Sequence, residues 1–132
     1  MTYEIINPES LGVPRGWNHG MVAPADGRVL FVAGQTGVAP GPDAGSFPGQ
    51  FGRALARVAA VLTAAGGDVT DVGRLTIYVT DMDAYRGSLE EVGVRYGEVF
   101  GKHFPAMALV AVTELVDPGA VVEIEATAVL PA

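Results

Sequence analysis

The chain has 132 residues, 49% of them apolar and only 17% charged, which suits one packed domain over residues 1–132 and excludes an extended disordered chain. Eight basic against fifteen acidic residues give a formal charge of −7, and the basic ones form no run, so a phosphate backbone would be repelled and nucleic-acid binding is disfavoured. Cysteine is absent, which excludes disulfides, thiol nucleophiles and thiolate metal sites together.

At the N-terminus, Met1-Thr2-Tyr3-Glu4 has no basic region leading into an apolar run. No later stretch reaches the roughly 18 apolar residues of a membrane span, so the expectation is a cytoplasmic protein. Tyr3 to Ile6 reads as a short strand stopped by Asn7-Pro8. His19 to Ala23 and Val29 to Ala33 read as two more, and the Asp26-Gly27 pair between them predicts a hairpin. From Val38 to Gly49, Pro40, Gly41, Pro42, Gly45 and Pro48 crowd into one loop. Phe51, Leu55, Val58 and Leu62 then recur at helical spacing until Gly66-Gly67 supplies a stop. Val72 to Thr80 alternates: Leu75, Ile77 and Val79 share one face, and Arg74, Thr76, Tyr78 and Thr80 share the other. A second helix is predicted from an N-cap at Asp83, with Tyr85, Leu89, Val92, Tyr96 and Val99 on one stripe. Gly87, Gly93 and Gly97 each cost that helix about 1 kcal/mol relative to Ala, which predicts close approach of a backbone or a ligand. Two strands end the chain, Ala106 to Leu115 and Val121 to Leu130, about the turn Asp117-Pro118-Gly119.

The order β-β-β-α-β-α-β-β is that of an α+β domain with a mixed sheet, of which two amphipathic helices cover one face. The other face is expected to combine Arg74, Tyr78, Glu123 and Glu125 with Met107 and Leu109 or their neighbours. That mixture is too apolar to stay wet and too charged for an ordinary core. Burial against copies of the same face is the simplest solution, and it predicts sites where subunits meet.

Several motifs run along the chain in order. Asn7-Pro8, Leu11, Pro14 and Gly16-Trp17-Asn18-His19 are followed by Phe31-Val32-Ala33-Gly34-Gln35, Gln50 and Ala65-Gly66-Gly67 with Asp71-Val72. Asp81, Tyr96 with Phe100, Phe104-Pro105-Ala106 and Val122-Glu123-Ile124-Glu125-Ala126 complete the series. In this order and spacing they resemble the reactive intermediate deaminase superfamily, or YjgF family, nearly end to end. The resemblance implies a chorismate mutase-like, YjgF-type fold assembled as a homotrimer, its sheets forming a central barrel with three clefts between subunits. It further implies hydrolysis of reactive imines or enamines to ketones and ammonia, without metal or organic cofactor. In the mechanism the resemblance implies, an Arg grips the substrate carboxylate and a Glu positions or activates water. The implied partners are further copies of the chain and a small molecule in the cleft.

The chain departs from that family where the chemistry sits. Met107 replaces the Arg that follows Pro-Ala, Ala33 the Ser before Gly-Gln, Trp17 the usual Tyr, and Gly93 an Asn of the second helix. Glu123, the first acid of Glu-Ile-Glu, is retained, as is Arg74, where Lys or Arg is typical.

Glu123 is the candidate catalytic carboxylate, although a strand Glu is more often solvated or paired, and Glu125 is equally available for that ordinary role. Arg74 either replaces the missing cation or pairs with Glu123 or Glu125. Met107 is an apolar lining residue, and the guanidinium it displaces takes with it bidentate recognition of a carboxylate. Trp17 is either a stacking wall for a flat ligand or packing at a loop base. With Ala33, Gly34 and Leu109 these form the expected substrate-binding set. His19 and His103 have no triad or metal set around them, and Gly34-Gln35-Thr36-Gly37 lacks the Lys and hydroxyl of a phosphate loop. The leading function is an imine or enamine hydrolase acting on something other than short imino acids. Its competitor is a non-catalytic trimer that binds a small apolar metabolite. A third, ribonuclease or translation inhibitor, suits neither the charge nor the lack of a His acid–base pair.

Overall fold

The computed structural model describes residues 3–40 and 45–132. In chain order these form β1 (Glu4–Ile6), β2 (Gly20–Val22), β3 (Arg28–Thr36), α1 (Phe47–Ala64), β4 (Val72–Val79), α2 (Met82–Arg86), α3 (Leu89–Phe100), β5 (Ala106–Ala111) and β6 (Val122–Leu130). Gly41 and Pro42 of the expected loop lie outside the described residues. That loop ends earlier than its composition predicts. Ser46 caps α1 through a hydroxyl that accepts from Gly49 N at 3.1 Å, and Pro48 is tolerated in the first turn, where its missing N–H has no partner to lose.

The main sheet has the order β3-β6-β4-β5, with β4 and β5 parallel and the other neighbours antiparallel. A separate pair, β1 and β2, is antiparallel. The expected hairpin between β2 and β3 therefore does not form. A turn does close from Gly27 N to Pro24 O, but it delivers the chain to β6 instead. A Cβ at Gly27 would run into the Val129 side chain and the Leu130 carbonyl, so glycine is needed for that approach.

The second helix is broken into two. Asp81, not Asp83, caps α2 by accepting from Ala84 N at 3.1 Å, and Gly87 closes it with a bond to Asp83 O at 2.8 Å. Ser88 donates its hydroxyl to Ala84 O at 2.7 Å, competing for the backbone where Gly87 has already weakened the helix. Gly93 and Gly97 meet no close backbone among the described residues, and a Cβ at either would have none of them within 4 Å. Strand β5 is also shorter than expected, because its partner β4 ends at Val79, the last residue to pair with it.

One face of the sheet carries the core. Leu75, Ile77 and Val79 of β4 and Val122, Ile124, Ala126 and Ala128 of β6 pack on Phe51, Leu55, Val58 and Leu62 of α1. Leu55, Val58 and Leu62 are fully buried, each contributing on the order of 2 kcal/mol. The opposite face is open. Arg74, Thr76 and Tyr78 lie there beside Thr127, Glu125 and Glu123 of β6, as the alternation predicts. Met107 and Leu109 do not join them. Their register with Leu75 and Ile77 turns them toward the helices, and Ala106, Ala108 and Val110 take the open side. Phe31 of β3, 79% exposed, and Val29 add apolar surface to the same face.

Candidate functional site

Asn7 and Asn18 fix one half of the candidate site. Asn7 donates to Asn18 Oδ1 at 2.8 Å and accepts from His19 N at 2.8 Å. Asn18 in turn donates through Nδ2 to Phe104 O at 2.6 Å and through its backbone to Pro105 O at 3.3 Å. These bonds dock the loop before β2 onto the entry to β5 and set Trp17 beside Met107. The Trp17 ring meets His19 edge-on at 4.6 Å, and the His19 ring lies 3.3 Å from Gly12 O.

The helix layer does not close over this corner. Between α3 and β5 a cavity of about 590 Å³ remains, walled by Trp17, Met107, Leu109, Phe104, Tyr96 and Val92. Gly93 borders it where a longer side chain would intrude. Tyr96 and Phe104 stack with ring centres 5.6 Å apart, and Tyr96 donates its hydroxyl to His103 O, which holds the ring. Burial pushes the Tyr96 phenol well above its ordinary pKa, so it stays a neutral donor. A smaller cleft of about 170 Å³ lies around the edge of β5, and Arg74, Trp17 and Met107 border it together.

The second half lies on the open face. A bulge in β3 between Val32 and Gln35 holds Ala33 and Gly34 out of register with β6. A Cβ on Gly34 would collide with the Glu123 carboxylate, so glycine here is what lets that carboxylate lie over the bulge. Glu125 is engaged differently, accepting from the Tyr78 hydroxyl at 3.2 Å. Desolvation first, then that bond and the charges of Glu125 and Glu123, raise the Tyr78 pKa. The two glutamates are thus distinguished: Glu125 is held by Tyr78, while the Glu123 carboxylate makes no hydrogen bond to another described residue. Arg74 pairs with neither of them within the chain.

Within one chain the halves stay apart. Glu123, Ala33 and Gly34 belong to the β3–β6 side of the open face, whereas Met107 and Leu109 belong to the helix side of β5, beyond β4. Among the described residues no group of three or more His, Asp or Glu side chains gathers at metal-binding distance. His103 Nε2 lies 2.7 Å from Val72 O, at a structural position.

The sequence model described as endoribonuclease L-PSP matches residues 10–130. The chain belongs to this family. A RutC family protein of Pyrococcus horikoshii is 35% identical over 105 residues, covering 77% of this chain and 79% of that one. Human 2-iminobutanoate/2-iminopropanoate deaminase is 30% identical over 105 residues, covering 77% and 73%. Among solved structures, the Rid family protein YyfB of Yersinia pestis superposes with a TM-score of 0.81 at 30% identity, over 98% of this chain and all of that one. Membership of the Rid/YjgF superfamily, with its mixed α+β fold, follows from these matches.

As a member of the family, the chain brings Trp17, Met107, Leu109 and Gly93 into one cavity, and Glu123, Ala33 and Gly34 into a separate patch. Sequence reasoning missed Arg15, Tyr96 and Phe104 on the cavity wall. Tyr96 and Phe104 were visible as motif residues, but nothing in their spacing said that their rings would stack. Arg15 stands two residues before Trp17 and could have been found only as its neighbour.

Proposed function

We propose that the chain is a homotrimeric imine or enamine hydrolase that works without a cofactor, with each site shared between two copies. The observation that carries this reading is the separation of the two half-sites. The apolar cavity walled by Trp17, Met107 and Leu109 has no acid on its wall, and Glu123, over Gly34 beside Ala33, lines neither that cavity nor the smaller cleft beside Arg74. Only a second copy, packed through the open sheet face, can bring one to the other. The 30% identity to a protein named as an iminobutanoate and iminopropanoate deaminase supports the same chemistry.

In that assembly Glu123 holds the attacking water and takes its proton. The oxygen adds to the imine carbon while Glu123 returns the proton to the nitrogen, and the resulting amino alcohol collapses as its hydroxyl proton passes to the nitrogen, which leaves as ammonia with the carbonyl as product. Water is the only co-reactant. Met107 removes the guanidinium that would grip a short carboxylate, so the preferred substrates are bulkier than short imino acids. Arg74 borders Trp17 and Met107 from the open-face side and is available to the ligand or to a neighbouring copy. The lack of cysteine suits the cytoplasm.

The test is ammonia release from imines generated in situ by an amino-acid oxidase, across short, branched and aromatic substrates. Release above the spontaneous rate that disappears in Glu123→Gln is the expected result. Release at no more than the spontaneous rate would remove the hydrolase, and equal rates above it in the wild type and Glu123→Gln would remove the role of Glu123. A second reading, a binder without turnover, is favoured by the simultaneous presence of Ala33, Gly93 and Met107 at positions where the motif resemblance implies Ser, Asn and Arg. Ribonuclease activity has the family's descriptive name behind it but meets a chain of charge −7 whose two histidines each have a ring nitrogen at a backbone carbonyl.

A further inference from the structure

The cavity under α3 is much larger than a three- or four-carbon imino acid needs, and its walls have a definite character. About 590 Å³ falls within the usual range for small-molecule sites. The stacked rings of Tyr96 and Phe104 form one flat side, and Trp17, Met107 and Leu109 supply the rest of the apolar lining. Among the described residues on its wall, the one charged side chain is Arg15. Arg15 makes no hydrogen bond or ion pair with another described residue, so its guanidinium donors are open to a ligand. One guanidinium in a chain of charge −7 matches a single planar carboxylate better than a dianionic phosphate. The Tyr85 hydroxyl, also on the wall, makes no hydrogen bond to another described residue and offers a second donor.

We infer that this cavity takes a monocarboxylate with an aromatic or branched apolar body, the body against Trp17 and Phe104 and the carboxylate on Arg15. Arg15 then stands in for the guanidinium that Met107 removed, from a different element and in a different direction. As the substrate class of the hydrolase, the inference rests on the function proposed above. As a binding site it is complete within one chain, so binding and turnover are separable.

The experiment is calorimetric titration of the assembled protein with 3-phenylpropionate, its neutral amide, and propionate. The acid should bind about tenfold tighter than the amide, the contribution of one charge-assisted contact, and propionate should bind far more weakly than either. Arg15→Gln should bring the acid to the level of the amide and leave the amide unchanged. Gly93→Leu, which adds a side chain in open space at the cavity border, should weaken acid and amide alike by about tenfold while the protein stays folded. Equal binding of acid and amide by the wild type would overturn the inference. So would a preference for the acid that survives Arg15→Gln, or one that is lost in Arg74→Gln instead. The expected binding pattern without ammonia release from any substrate would remove the hydrolase alone. Ammonia release from short imines, with acid and amide bound equally, would remove the Arg15 cavity alone.

Discussion

At position 107 a single residue separates two accounts of the site. Met107 faces the cavity at the start of β5, where a guanidinium would reach the same space. If the missing carboxylate anchor alone limits turnover of short imino acids, Met107→Arg should raise their hydrolysis by about two orders of magnitude, the equivalent of about 3 kcal/mol from a bidentate contact. The half-buried position exposes the new charge to enough solvent for folding, and circular dichroism with light scattering would check that first. Tighter carboxylate binding without ammonia would mean that Ala33 and Gly93 have removed the groups that position water, and the binder reading would stand. Residue types made Glu123, Trp17 and Met107 legible as candidates because they sit at motif positions. They did not reveal that the Glu123 carboxylate bonds to no other described residue while Glu125 is held by Tyr78, since that depends on register across β4 and β6. Nor did they reveal which face Met107 takes, because a strand without alternation, Ala106-Met107-Ala108-Leu109-Val110, gives no phase of its own.

Among the elements, the two long amphipathic segments are the best recovered from pattern. Phe51, Leu55, Val58 and Leu62 of α1 and the alternating faces of β4 emerge as expected because each is buried on one side and periodic over two turns or more. The second helical segment was legible in its stripe but not in its break, since Gly87-Ser88 acts through local hydrogen bonds that hydrophobic periodicity does not record. Gly97 gives a direct test of how α3 is used. It lies within the helix, and a Cβ there meets no other described residue. Gly97→Ala should therefore stabilise the protein by about 1 kcal/mol and raise the thermal midpoint by a few degrees. A fall in the midpoint would show that another copy lies against this turn of α3.

On the scale of the whole molecule, the open sheet face is the feature that argues for the proposed assembly. Phe31 is 79% exposed in the middle of β3, beside Thr127, and Val29 is 57% exposed beside Val129. Among the described residues no helix covers them, and Glu123 and Glu125 share the face. An isolated chain would keep this apolar surface in water; three copies facing inward would bury it, at about 2 kcal/mol for each Phe removed from solvent. Phe31→Asp replaces that gain with a carboxylate taken out of water near two others, a cost of several kcal/mol per copy. Light scattering should then give three times the 13.6 kDa chain mass for the wild type and one chain mass for the variant. Val116→Asp is the control, since Val116 is 95% exposed between β5 and β6 and away from the paired strands. On the proposed division of the site, with the Arg15 cavity within one chain and Glu123 acting across copies, the Phe31→Asp monomer should still bind 3-phenylpropionate but release no ammonia. A monomer with full turnover would mean that each chain completes its own site, and the separation of the half-sites would lose its meaning.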